Sequence, residues 1–295
     1  MKRYYILMII AIFIARTEVL GINARSIGMG EAFTAIVDDS NAVFYNPAGI
    51  VFQERLAIDG GTMLDDSYSY LLGGFIIPSA NIGFGYTDFS YPSMYKRNTM
   101  HASLGIKMSK TFAVGISGKN TAMEYDDIFL IEDTVSTNAD VGFLVKTDGF
   151  SMGLLMTDIL ESSDPVIYGP LYTSLCDTRA GICLGGKEFK FAIDYWAYSD
   201  DILDITGTCF GIEYMMKTGV GLRIGGSAYN IFGMDMTTIN MGISMITAPL
   251  VIHYAIVTPY LNEEIRSDLS DHYISVGIRF GSNSNEEISL MGQYP

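Results

Sequence analysis

Nine charged side chains share one positional habit. Lys107, Asp140, Lys146, Arg179, Lys190, Asp194, Glu213, Arg223 and Arg279 each lie in a run where large apolar residues alternate with small ones, and each takes the small side. Alternation of period two is the mark of a strand, so these charges share one face of a sheet. Facing hydrocarbon near a bilayer midplane, each would cost about 2–4 kcal/mol. Facing inward, they can pair with one another and with Arg25, Glu31, Asp38 and Asp39 near the start of the chain. The chemistry this implies is ion pairing that fixes an enclosed segment, with an ion pathway as the other use of such charges.

Other reactive residue types form no comparable set. Asp126-Asp127 with Glu132-Asp133, and Asp200-Asp201 with Asp204, offer oxygen ligands for calcium but lack EF-hand spacing and read as solvated loop tips. His101, His253 and His272 share no motif; His253 falls on the inward side, where a hydrogen bond to the enclosed segment is expected. Cys176, Cys183 and Cys209 are an odd number without metal-ligand spacing, so they read as small buried residues. Gly28-x-Gly30 follows no strand and precedes no βαβ unit, which makes it a turn rather than a nucleotide fingerprint. No serine, cysteine or histidine is paired with a base and an orienting group, and no two carboxylates have a defined geometry. The expectation is therefore a non-enzyme with no metal and no cofactor.

The elements that must position the nine charges are strands. Ile82, Phe84 and Tyr86 alternate with Gly83, Gly85 and Thr87, and Leu104, Ile106 and Met108 alternate with Ser103, Gly105 and Lys107. The same pattern recurs through Ile274, Val276, Ile278 and Phe280. A soluble sandwich explains the greasy face as its core but leaves a wet face of glycine unexplained, because glycine weakens a strand unless another backbone comes close. A membrane barrel explains both faces: the apolar one meets lipid and the small one surrounds something enclosed. About fourteen strands fit between residues 56 and 281. Ser79-Ala80, Ser109-Lys110, Asp148-Gly149, Gly186-Lys187, Lys217-Thr218 and Thr247-Ala248 are tight turns, whereas 90–98, 124–134, 159–174, 199–204 and 261–269 read as longer, acidic loops. Short turns at one end and long loops at the other are the habit of outer-membrane barrels. The expected fold class is all-β: a transmembrane antiparallel barrel of about fourteen strands.

Residues 22–55 are the one part of the mature chain that is not strand-like. Glu31 to Val37 reads as a short apolar helical run, and Asp38, Asp39 and Ser40 offer caps for a second run, Asn41 to Tyr45. Pro47 drives Asn46 out of the helical region, suits a first helical position itself, and leaves Gly49 as a left-handed terminus. Residues 1–21, with Lys2-Arg3 before an apolar stretch and Val19-Leu20-Gly21 at its end, read as a secretory signal peptide. Residues 56–281 form the barrel and 282–295 a polar tail. A formal charge of −15 argues against nucleic acid as a partner. With 49% hydrophobic and 17% charged residues, the chain is apolar for a soluble protein, and outer-membrane lipid is its expected surroundings.

The run Ala24-Arg25-x-x-Gly28-Met29-Gly30-x-Ala32-Phe33-x-Ala35, then Asp38-Asp39, then Asn46-Pro47-Ala48-Gly49, resembles the N-terminal hatch of FadL-like outer-membrane proteins, most of all the PorV/PorQ branch. The segment from His272 to Phe280 resembles the last strand of that branch. The resemblance implies a barrel with its N-terminus folded into the lumen as a hatch and a bacterial outer-membrane location after signal-peptide cleavage. It also implies passage of small hydrophobic ligands; in the secretion branch, the barrel instead receives exported cargo through secretion-system proteins. In the first case a ligand would meet a dry pocket near Phe33, Ile36, Phe44 and Tyr45.

Overall fold

In a computed structural model of the chain, the described residues are 23–64, 69–91, 95–125, 133–160, 177–199, 204–231, 234–261 and 264–280. The expected signal peptide, the polar tail, Cys176 and the acidic residues Asp126, Asp127, Glu132, Asp200 and Asp201 lie outside them. Fourteen strands form one antiparallel sheet: β1 Leu56–Met63, β2 Ser69–Ile77, β3 Ile82–Tyr91, β4 Tyr95–Lys107, β5 Phe112–Tyr125, β6 Thr134–Lys146 and β7 Phe150–Met156. The second half is β8 Thr178–Gly185, β9 Phe189–Ser199, β10 Asp204–Met215, β11 Val220–Ile231, β12 Met234–Thr247, β13 Leu250–Leu261 and β14 Asp271–Phe280. A two-residue extended piece, Glu264–Ile265, adds to the end of β13.

Each strand pairs with its neighbours in sequence, and β1 pairs with β14 from Leu56↔Phe280 to Met63↔Tyr273, so the sheet closes into a barrel with no free edge. Closure satisfies the backbone groups in a way that an open sheet in lipid cannot. The period-two expectation holds residue by residue. On β4, Leu104 is 46% exposed while Ser103 beside it is 3% exposed. Phe84, Ile116, Ile182, Ile193, Phe210, Ile224, Ile243 and Phe280 are likewise large, apolar and exposed. An apolar surface that runs round a whole molecule is far beyond what a water-soluble monomer shows, and it fits a hydrocarbon solvent. Among the described residues no helix is long and apolar enough to cross a membrane.

The six tight turns fall where the sequence puts them. The other end is shorter than expected at two places: strands continue to Tyr91 and from Tyr95, and to Ser199 and from Asp204. On β3 and β4 the ladder outlasts the apolar band because outward polar groups take over, with the Tyr86 hydroxyl donating to Asn98 at 3.1 Å and Lys96 lying 3.7 Å from Asp88.

Residues 23–52 lie inside the barrel as α1 Ala24–Gly28, turns over residues 29–41, α2 Ala42–Tyr45 and a 3-10 helix Pro47–Phe52. Two local expectations are corrected. Glu31 to Val37 is not helical: Gly30 and Glu31 are left-handed at φ 62° and 67°, and Val37 has φ 23°. Only one turn closes there, the N–H groups of Ile36 and Val37 both reaching the Phe33 carbonyl at 3.1 and 3.3 Å, while Asp194 of β9 accepts from the N–H groups of Phe33 and Thr34 at 3.0 and 2.8 Å. Gly49 does not end a helix but sits within one, and its missing Cβ makes room for Val37.

The outward parity gives a direct check. Leu104→Arg should lower unfolding free energy from lipid vesicles by about 2–4 kcal/mol, and Met108→Arg at the strand end by about 0–1 kcal/mol. Equal costs at the two positions, measured by denaturant titration, would contradict the orientation.

Candidate functional site

The interior is organised around Arg25 on α1. Its Nε and Nη2 donate to the two oxygens of Glu213 on β10 at 2.9 and 2.8 Å, a bidentate fork. Its Nη1 donates to Asp38 at 2.5 Å and to Asp39 at 2.7 Å. Glu213 also accepts from Arg223 Nε at 2.7 Å and from Lys190 Nζ at 2.9 Å, and Lys190 lies 3.4 Å from Asp38. The set extends through Arg223 to Ser244, whose Oγ is 2.5 Å from His253 Nδ1. The hydrogen bond to the enclosed segment expected of His253 from its inward parity is therefore replaced by one to the barrel wall. Burial pushes the Asp38 carboxyl up, but Arg25, Lys190 and Lys146 more than reverse this and hold it well below the usual carboxylate range. Burial would likewise lower the Arg25 pKa, and Asp38, Glu213 and Asp39 together raise it well above its ordinary value.

Further bonds tie the segment to the rest of the wall. Asn240 of β12 donates to the Ile27 carbonyl at 2.8 Å, and Ser275 of β14 to Asn23 Oδ1 at 2.9 Å. Ser40 bonds to Asp59 of β1, which pairs across the closing seam with Arg279 of β14 at 2.7 Å. Ser151 and Lys146 donate to the carbonyls of Ala35 and Ile36 at 2.6 and 3.3 Å. Asn46 is extended at φ −161°; its side chain accepts from Ala48 N at 3.1 Å and donates to Thr34 and Phe143 carbonyls at 3.1 Å each. The capping role expected from Asn46-Pro47 is present, and the same amide also reaches β6.

Glycine on the inward face is explained by contact. A Cβ at Gly115 would run into the Pro47–Ala48 backbone, and one at Gly142 into the Asn46 side chain. Across the barrel, a Cβ at Gly211 or Gly225 would strike the backbone of Met29 and Gly30. The wall is a cast of the segment it holds, as its small residues led one to expect.

Of the nine expected interior charges, Lys146, Lys190, Glu213 and Arg223 gather near Arg25, Asp194 holds Phe33 and Thr34, and Arg279 pairs with Asp59. Asp140 bonds instead to Lys119, and Arg179 lies beside Trp196, its Cζ 5.4 Å from the ring centre. Lys107 is exposed at the end of β4 and reaches none of them. Phe33, Ile36, Phe44 and Tyr45 are all buried, 0–4% exposed; Phe33 packs edge-on against Tyr45 at 5.4 Å and Phe44 against His101 at 5.1 Å.

Sequence reasoning passed over two groups. Lys119 on β5 lies 2.8 Å from both Asp140 and Asp158. Asp158 is the extra residue of a bulge, since Met156 pairs with Val141 while Ile159 N–H donates to the Ala139 carbonyl. Nearer the long-loop end, Met63, Phe89, Tyr95, Met123, Trp196, Tyr229 and Tyr273 are large, buried and on the inward parity. Trp196 and Tyr229 lie 5.6 Å apart and fill the space left by Gly207. They could have been found by extending the series Lys190-Ala192-Asp194 and Arg223-Gly225-Ser227 by two residues.

Among the described residues no three His, Cys, Asp or Glu side chains group to hold a metal, and Cys183 and Cys209 are buried free thiols. His272 faces outward and is bonded to Tyr254 at 2.5 Å.

Glu213→Ala should leave Arg25, Arg223 and Lys190 buried without their shared acceptor, costing about 3–5 kcal/mol in a urea titration of the micellar protein. The depressed Asp38 carboxyl sets the pH sense: its stabilising part is complete above the ordinary aspartate range near 3.8 and is lost as pH falls below it. Protease protection of residues 23–52 should persist from neutral pH down to about 4 and decline only in stronger acid.

No protein-family model matches the chain, and no curated protein matches it. Solved structures do. The CymD monoaromatic hydrocarbon channel superposes with a TM-score of 0.67 at 11% identity, over 90% of this chain and 99% of that one. The Ralstonia pickettii toluene transporter TbuX gives 0.61 at 11% identity, over 90% and 100%. A Pseudomonas aeruginosa FadL homologue gives 0.59 at 10% identity, over 88% and 98%. At such identities the likeness establishes a FadL-like barrel fold.

Proposed function

We propose that this chain is a bacterial outer-membrane barrel that passes small hydrophobic molecules through a lumen gated by residues 22–55 acting as a hatch. The observation that carries this reading is the inward set Met63, Phe89, Tyr95, Met123, Trp196, Tyr229 and Tyr273 at the long-loop end. A water-filled pore has no use for seven large apolar or aromatic side chains on its inner face, whereas a greasy guest is stabilised by them. The fold-mates named as a monoaromatic hydrocarbon channel and a toluene transporter support the same class of cargo.

In this reading a guest enters between the outer loops and meets that ring first. Those seven side chains are 2–6% exposed and Phe33, Ile36, Phe44 and Tyr45 are 0–4% exposed. Both sets are therefore packed in the closed barrel and become ligand-facing only when it opens, the ring first and the four as the hatch shifts. The hatch motif Arg25, Gly28, Gly30, Asp38, Asp39, Asn46, Pro47, Ala48 and Gly49 supplies its anchors and its close contacts with the wall. Ionic anchors suit a gate: they hold one arrangement firmly yet release when a partner is drawn off. The likeness of both chain ends to the PorV/PorQ branch supports assignment to it, with residues 1–21 as the export signal and 282–295 as a tail on the periplasmic side.

Deleting residues 24–49 should turn a closed barrel into an open, water-filled one. Planar-bilayer conductance at least tenfold above that of the full chain is expected, on the order of what an unplugged lumen allows. Unchanged conductance from a properly folded deletion variant would contradict the hatch.

A further inference from the structure

Glu31 stands where the enclosed segment touches the aromatic ring. It is buried, and its Oε2 accepts from the Tyr229 hydroxyl at 3.1 Å. Its backbone is left-handed at φ 67°, directly after Gly30 at φ 62°. A glycine takes that conformation freely; a glutamate does so rarely, and only where its surroundings insist. Here the Glu31 N–H donates back to the Ser26 carbonyl at 3.0 Å, and the side chain is clamped by Tyr229. Gly30 itself is wedged against Gly225 and Gly226, on the same strand as Tyr229. On its other side Tyr229 leans on Trp196, ring centres 5.6 Å apart, and Trp196 carries Arg179 on its face. One hydrogen bond thus connects a buried aromatic pair toward the long-loop end to a left-handed turn of the segment that fills the lumen.

We propose that Glu31 is the coupling residue of the hatch: a guest that inserts by displacing the packed Trp196–Tyr229 pair draws the Tyr229 hydroxyl away from Glu31 and frees the Gly30–Glu31 turn to relax. Release begins at this turn and reaches the Arg25 anchors through α1, which ends two residues before Gly30. The inference rests on the proposed hydrophobic-guest function and adds to it the residue by which occupancy is felt. Glu31 is a positioning residue that acts through Tyr229, and no contact between Glu31 and the guest is required.

Trp196 is the only tryptophan in the chain, so its fluorescence reports on this place alone. Toluene serves as the probe, with fluorescence reading occupancy of the ring and planar-bilayer conductance reading the hatch. In the wild type, toluene should change both. Tyr229→Phe keeps the ring and loses the donor: its fluorescence response should remain, its resting conductance should rise about two- to tenfold, the span one hydrogen bond controls, and toluene should add little further. Glu31→Gln keeps an acceptor for Tyr229 and should retain the toluene-dependent rise, which separates coupling from mere loss of fold. A Tyr229→Phe barrel whose conductance answers toluene as the wild type does would overturn the coupling. So would a wild type that changes fluorescence without changing conductance, leaving the hydrophobic-guest reading intact. A wild type whose fluorescence ignores toluene at every concentration would remove the guest reading itself, and the coupling with it.

Discussion

Glu213 accepts hydrogen bonds from three cations, Arg25, Arg223 and Lys190, inside a wall whose outer surface is hydrocarbon-like. A carboxylate there cannot be solvated by bulk water, and none of the three cations can be left without an acceptor except at several kcal/mol. Much else follows from meeting that requirement. Arg25 must be brought to the lumen by a short helix, so the chain has to begin inside the barrel. Asp38 and Asp39 must return to the same guanidinium, so the segment has to double back within about a dozen residues. Two of the turns that achieve this hold non-glycine residues at positive φ, Glu31 and Val37.

The barrel answers with a wall shaped to the segment. Where the backbone of Met29–Gly30 and of Pro47–Ala48 presses outward, the strands carry glycine, giving up side-chain packing to admit a second backbone. Where the segment offers a carbonyl, the wall offers Ser151, Lys146 or Asn240; where it offers N–H groups, the wall offers Asp194. Every one of these contacts is long in sequence, so segment and barrel are ordered together. The aromatic end of the lumen lies beyond that cast, joined to it through Tyr229 and Glu31. The interior is thus ionic around Glu213 and largely aromatic toward the long-loop end, where buried Arg97 and Arg179 lie among the large side chains.

The sequence made the barrel legible because a lipid-facing strand writes its environment in alternate letters: Leu104 beside Ser103 already states which side is out. It made the anchoring charges legible by the same parity, and Asn46-Pro47 by local chemistry that needs no partner. Glu31 to Val37 escaped because its contacts are with the far wall: Gly30 is pressed against Gly226, and Asp194 accepts from Phe33 and Thr34, partners more than 150 residues later to which local propensity has no access. Lys107 escaped because parity says which way a side chain points but not whether the strand still has neighbours there. Trp196 and Tyr229 were overlooked because they break the small-residue habit of their own face. That break, a bulky ring where glycine or charge is the rule, was the available signal for a surface that contacts something other than the chain's own backbone.

The enclosure of the chain's beginning can be asked about covalently. In a background with the three native cysteines replaced, Asn23→Cys and Ser275→Cys put two thiols where side-chain atoms of α1's cap and β14 now lie 2.9 Å apart. Oxidation of the protein in native-like membranes should join them in high yield and leave the barrel's heat-modifiable mobility unchanged. A thiol pair that stays reduced under oxidant while residue 23 is freely alkylated from the aqueous side would mean that the segment lies outside the lumen and that the buried ion set around Glu213 does not exist.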